Sequence, residues 1–145
     1  MATSRYRRVN LDGKSITETR AAKASVLPGT FVVIDANDEF AQATALAGRL
    51  YITNPAYHQG LTIRDEIPAG DSAVGEYVEE GRELALLVPA GTYKKDSPIK
   101  LGVNGQGALA TADTDSVIGY SQDEVTLSGA DFIRVRFRVG TVAAA

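Results

Sequence analysis

Cysteine and tryptophan are absent from the 145 residues, and histidine and methionine occur once each, as His58 and Met1. The first absence excludes a disulfide framework, a thiolate nucleophile and any cysteine-ligated zinc. A single imidazole excludes a two-histidine metal site and leaves little general acid–base capacity near neutral pH. No cofactor is expected. Long apolar runs are missing too: none approaches the roughly 18 to 20 residues that span a bilayer, so no membrane partner is expected. The basic start, MATSRYRRVN, is followed by no hydrophobic stretch and does not read as a secretory signal. The expectation is a cytoplasm-like compartment unless another component carries the protein out.

What remains is the composition of one globular domain, with 44% hydrophobic residues, 23% charged residues and 14 glycines. The net charge of −3 is unevenly spread. Residues 1–24 hold Arg5, Arg7, Arg8, Lys14, Arg20 and Lys23 against Asp12 and Glu18, a balance of +4 that leaves −7 for the rest. A basic segment on an acidic body is expected to lie on something negative. The same segment lacks a hydrophobic period. SITETRAAKA offers at most two helical turns, with Ser15 and Glu18 as a capping box, too short to persist alone. Residues 1–24 therefore read as an extended arm, disordered in the free protein, that orders on a neighbour. At ~3.3 Å per residue it reaches about 80 Å, well past a body whose radius of gyration is about 14 Å.

From Ser25 the signals are those of short strands, giving a β-rich domain over 25–140 and a loose tail over 141–145. SVLPGTFVVID turns at Pro28-Gly29 and runs into a buried strand, and GRLYITNP gives another that stops at Asn54-Pro55. AVGEYVEEG and RELALLVP read as a pair around Gly81. SPIKLGVNGQGALATA reads as two strands joined at Asn104-Gly105, the strongest hairpin signal in the chain. DEFAQATALAG suits either a helix or a weak edge strand. In DFIRVRFRVG, Ile133, Val135, Phe137 and Val139 alternate with Arg134, Arg136 and Arg138, so one face is core and the other a row of guanidinium groups. Turn residues every 8 to 12 positions favour an all-β barrel or sandwich.

Candidate chemistry has a structural account in each case. The glycines of GVNGQG lack the spacing of a dinucleotide fingerprint and the Lys-Ser or Lys-Thr that ends a phosphate loop, and Lys94 and Lys95 precede the strand. Pro68-Ala69-Gly70 and Pro89-Ala90-Gly91 are turn grammar. His58 sits among turn formers. The carboxylate pairs Asp65/Glu66, Glu79/Glu80 and Asp113/Asp115 are not placed for glycosidase chemistry. The cluster from Asp35 to Glu39 lacks the spacing and glycine of an EF-hand, so a solvated turn is expected there. The arginine row and basic segment raise nucleic acid as a partner, but the chain is acidic, with a pI near 5.1. No aromatic residue interleaves with those arginines to stack bases. Pairing with an acidic strand such as EYVEE, within the chain or across an interface, fits better. No direct nucleic-acid contact and no enzymatic activity are expected.

The order of ITETRAAKASVLPGTFVVI, then GLTIRDEIPAGDSAVGEYVEEGRELALLVPAGTYKKDSPIKLGVNGQGALATA, then SVIGYSQDEVTLSGADFIRVRFRVG resembles the capsid decoration (cement) proteins of tailed bacteriophages. The resemblance covers roughly residues 16–139 and rests on turns and strand order. It includes a strand of the type Val117 to Ser121 and a final strand alternating arginine with apolar residues. One departure is Lys95-Asp96 where that family has a Gly-Asp turn. The resemblance implies an all-β, β-tulip-like barrel or sandwich with an extended N-terminal arm, on the outer capsid surface of the virion after assembly in the host bacterial cytoplasm. It implies the major capsid protein as partner, and a homodimer or homotrimer at a local symmetry axis. Such a protein stabilises the shell by binding only its assembled form. Arg5, Arg7, Arg8, Arg20, Lys23, Arg134, Arg136 and Arg138 are the expected contact residues. Two other classes stay open: another virion component such as a tail or fibre-base module, and a carbohydrate-binding or hydrolytic β-domain with Tyr51, Tyr57, Tyr77 and carboxylates lining a cleft.

Overall fold

The computed structural model describes residues 5–45, 49–112 and 114–140. Alternating burial, short segments and frequent turns build twelve strands: β1 (Thr17–Ala21), β2 (Phe31–Ile34), β3 (Phe40–Gln42), β4 (Tyr51–Thr53), β5 (Ser72–Tyr77), β6 (Glu83–Val88), β7 (Gly91–Tyr93), β8 (Pro98–Leu101), β9 (Gly107–Leu109), β10 (Val117–Ser121), β11 (Val125–Leu127) and β12 (Asp131–Gly140). Two five-stranded antiparallel sheets are ordered β1-β5-β4-β2-β3 and β6-β12-β10-β8-β9, and β11 and β7 pair as a separate two-stranded ribbon. The all-β expectation holds. The form is a sandwich, with no closed barrel among the described residues.

Strand alternation sorts the side chains into three apolar layers. Phe31 and Ile52 from the first sheet meet Leu84, Leu86, Val88, Val135 and Phe137 from the second, forming the core between the sheets. Phe31 and Phe137 pack edge to face, their centroids 6.1 Å apart. On the outer face of the first sheet, Val32, Phe40, Tyr51 and Ala73 pack beneath Val26 and Ile67, which bridge each other. Ala85, Leu87 and Phe132 on the outer face of the second sheet are covered by Ile63, Tyr6 and Leu11.

The last cover comes from the N-terminal segment, and here the structure differs from the sequence reading. Residues 17–21 form no helix. They pair with β5 from Thr17↔Glu76 to Ala21↔Ser72, because the edge of β5 offers a full ladder whereas two isolated helical turns have none. Ser15 donates to Glu76 instead of capping a helix. Val9 is fully buried and Asn10 bridges Leu84. Residues 5–24 thus run along the chain's own body. Residues 1–4, the tail 141–145 and Asp113 lie outside the described residues.

Two further expectations change. Strands β5 and β6 do not pair with each other. Gly81, at φ 91°, carries the chain from one sheet to the other, and its N–H donates to the Phe137 carbonyl. Val139 is 79% exposed, since the core ends at Phe137. Of the two readings of DEFAQATALAG, the edge strand is the one seen, as β3 over Phe40–Gln42, while 46–48 lie outside the described residues. The Asn104-Gly105 hairpin holds: β8 pairs β9 from Ile99↔Leu109 to Leu101↔Gly107.

Candidate functional site

Strand β12 runs antiparallel to β6, which places Glu83 opposite Arg136 and beside Arg134. Glu83 Oε2 accepts from Arg136 at 2.9 Å, and its Oε1 lies 3.6 Å from Arg134. The partner of the arginine row is therefore Glu83 on the neighbouring strand, not the EYVEE stretch. Arg136 also donates to the Gly81 carbonyl. Arg138, one period further on, has no side-chain partner among the described residues.

Asp123, after β10, ties this strand to the N-terminal segment. Its Oδ2 accepts from the Arg134 N–H at 2.9 Å, the Tyr6 hydroxyl at 2.7 Å and Arg5 Nη1 at 3.0 Å. Burial pushes the Asp123 carboxyl up, but these three donors outweigh it and hold its pKa below the usual value. Tyr6 moves the other way: burial first, then the Asp123 carboxylate, raise its pKa. A second clamp is Arg82, 7% exposed, which donates to Asn10 Oδ1 and to the Asp12 carbonyl. Asp12 Oδ1 in turn accepts from the Glu83 N–H.

The expected contact residues divide accordingly. Arg5 is held by Asp123, and Arg20 donates to Asp38 at 2.8 Å and Glu18 at 3.0 Å, carboxylates that raise its pKa. Lys23 lies 3.8 Å from Asp35. The side chains of Arg7 and Arg8 are exposed and make no hydrogen bond or ion pair among the described residues. Arg138 and Arg49 flank an open cavity of about 260 Å³ that includes Leu50, Ile118 and Val139.

The remaining candidates keep their structural roles. Asp35 Oδ1 accepts from the Asn37 and Glu39 N–H groups, closing a turn with Asp38 at φ 61°. Among the described residues no cluster of acidic or histidine side chains is placed to hold a metal. Tyr51 is buried against Phe40 and Tyr77, while Tyr57 is exposed elsewhere, so the three tyrosines do not line one cleft. Sequence reasoning missed Asp123, Glu83 and Arg82 as clamps and Glu76 as a buried acid. Each stands in an ordinary polar strand end, and only pairing reveals its partner. Among the described residues no helix is long and apolar enough to cross a membrane.

The two-sheet sandwich, its surface ion pairs and its buried Glu76 and Arg82 can be set beside known proteins. The solved N base of the head fibre gp8.5 of bacteriophage phi29 matches with a TM-score of 0.61, over 90% of this chain and 100% of that one, at 13% identity; the likeness is one of fold. No curated protein sequence matches the chain. The chain belongs to the XM1 gp53 minor capsid protein family, whose profile matches residues 3–139. The resemblance to phage capsid-associated proteins is borne out at that level.

Proposed function

We propose that this protein decorates the outside of the assembled major capsid shell and stabilises it, without catalysing a reaction or contacting nucleic acid. Family membership over residues 3–139 supports a capsid role for the whole domain. The observation that carries the docking chemistry is the division of the arginines. Five of the eight expected contact residues are engaged within the chain, which leaves Arg7, Arg8 and Arg138 without a side-chain partner among the described residues and open to an acidic one. Arg138 stands with Arg49 and Glu80 around the exposed Val139, an apolar spot with a charged rim in which arginine outnumbers carboxylate. The N-terminal segment bridges to a neighbouring subunit through Arg7 and Arg8 while its backbone stays on its own body. Copies gather as dimers or trimers at local symmetry axes, where many weak contacts sum to a large avidity.

The test is co-sedimentation with purified heads stripped of the protein. Deleting residues 1–24 would strip β1 from its sheet and bury the answer in misfolding, so point variants are preferable. Saturable pelleting, lost in the Arg7→Glu, Arg8→Glu, Arg138→Glu triple variant and weakened by salt, is expected. Absence of pelleting with intact heads of the right phage would refute the proposal. A second reading, a fibre-base module, draws on the fold shared with the phi29 head-fibre base. Pelleting with purified tails and not with heads would favour it.

A further inference from the structure

The crossing of the N-terminal segment over the first sheet leaves an open polar cavity that shares only Arg8 with the proposed shell-docking residues. Arg8, Asn10 and Ser15 from the segment, Asn54 and Tyr57 after β4, and Glu76 of β5 line an open space of about 350 Å³. Ligand pockets fall in the range of ~300–1,000 Å³. Glu76 is only 1% exposed. Both of its carboxylate oxygens lie 2.6 Å from the single Ser15 hydroxyl, and no cation pairs with it among the described residues. One hydroxyl supplies one proton, whereas an ionised carboxylate offers about four acceptor sites. A buried acid left this far from satisfied retains strong demand for further donors.

The other groups around it are chemically mixed. The Asn54 carboxamide makes no hydrogen bond among the described residues. Asn10 uses its oxygen on Arg82, which leaves its NH₂ group as a donor. Tyr57 is 56% exposed, and its hydroxyl donates to the Arg7 carbonyl, which fixes the ring. The turn Tyr57–Gln59 closes at Gly60, φ 75°, and adds His58 to the lining. An anionic ligand would face Glu76, and a cationic one would face Arg8. An uncharged polyhydroxyl compound uses both, because each hydroxyl donates to the carboxylate and accepts from an amide or a guanidinium. We infer that this cavity binds a neutral saccharide: Glu76 accepts from neighbouring hydroxyls, Asn54 and Asn10 bridge others, and the fixed Tyr57 ring stacks on the C–H face of the sugar.

The test uses the isolated full chain, so its failure would leave shell docking untouched. Proton–nitrogen NMR spectra are recorded during titration with glucose, galactose, mannose and N-acetylglucosamine. The expected result is saturable shifts confined to amides of 54–60 and 74–77 with at least one sugar. Tyr57→Ala, at an exposed position, should weaken binding by about tenfold or more, as should Glu76→Gln, with amide shifts outside 54–60 and 74–77 unchanged in each variant as the check on folding. No saturable shift with any of the sugars would overturn the inference, as would unchanged affinity in Tyr57→Ala. A stronger response to lysine methyl ester or to inorganic phosphate would overturn it in favour of a charged ligand.

Discussion

Replacing Asp123 with alanine should detach the N-terminal segment from the second sheet before it unfolds the rest. The carboxylate accepts from Arg5 at 3.0 Å, Tyr6 at 2.7 Å and the Arg134 N–H at 2.9 Å. Hydrogen bonds to a charged group contribute ~1.5–3 kcal/mol each when buried. Arg5, about one-third exposed, regains water on release, so its share falls to ~1 kcal/mol or less. The Arg134 N–H, left without its acceptor, costs ~1–3 kcal/mol. Taken together and without strict additivity, Asp123→Ala should destabilise by about 3 kcal/mol, which lowers Tm by roughly 10 °C in a domain of this size. Urea unfolding followed by far-ultraviolet circular dichroism reads the total. Hydrogen exchange at the Ala85 amide, which donates to the Val9 carbonyl at 2.8 Å, reads the segment. The reasoning fails if the loss is below about 0.5 kcal/mol, or if stability falls while Ala85 stays as protected as in the parent.

The same clamp gives a pH dependence. Because the Asp123 pKa is held below its unfolded value of about 3.9, its stabilisation is full above that value and is lost as pH falls through the lower folded one. Ala85 exchange should therefore speed up below about pH 4, and Asp123→Ala should flatten that response. At the alkaline end the raised pKa of Tyr6 makes its contribution full below about pH 10 and lost above it as the folded-state hydroxyl ionises. Gly119→Ala should cost about 1–3 kcal/mol in thermal unfolding, since its Cβ would lie 2.8 Å from the Arg136 carbonyl oxygen, which is backbone and cannot swing away. Gly129→Ala, with nothing within 4 Å, is the neutral control. Glu83→Gln should cost about 0.5–1 kcal/mol, while freeing Arg134 and Arg136 and shifting elution from an anionic resin to higher salt.

What the sequence made legible was whatever one strand decides alone. The Asn104-Gly105 hairpin needs φ > 0 locally, and Asn104 at 56° and Gly105 at 71° supply it. The period-two pattern from Ile133 to Phe137 fixes a buried face without reference to partners. What stayed hidden was everything that depends on which strand lies alongside. Gly81 reads the same whether it closes a hairpin or crosses between sheets. TETRA has no hydrophobic period, and it becomes a strand only because β5 leaves an edge open. Glu76 looks like one member of an acidic run, and its burial follows from the segment that folds over it. The ribbon of β7 and β11 was missed because three-residue strands carry too few alternations to show a period.

How the segment is held at home decides how it can reach a neighbour. Fully burying Val9 is worth roughly 1.5–3 kcal/mol, and the five-pair ladder of β1 on β5 and the Arg82 hydrogen bonds add to that. A capsid surface would have to return all of this to draw the segment away. Only a second copy of this chain carries the same β5 edge and the same Arg82, and exchange between copies would leave just Lys23 to Ser25 as hinge, a span of about 10 Å. Bridging in place through the exposed Arg7 and Arg8 needs no release at all. The two routes separate cleanly because the chain has no cysteine of its own. Thr19 and Val74 stand opposite each other in the β1–β5 ladder. In a Thr19→Cys, Val74→Cys variant, oxidation should give a cross-linked monomer on denaturing gels that still pellets with heads like the reduced form. Disulfide-linked dimers or larger species forming on the heads, with the monomeric cross-link abolishing binding, would refute bridging in place and establish exchange of the segment between subunits.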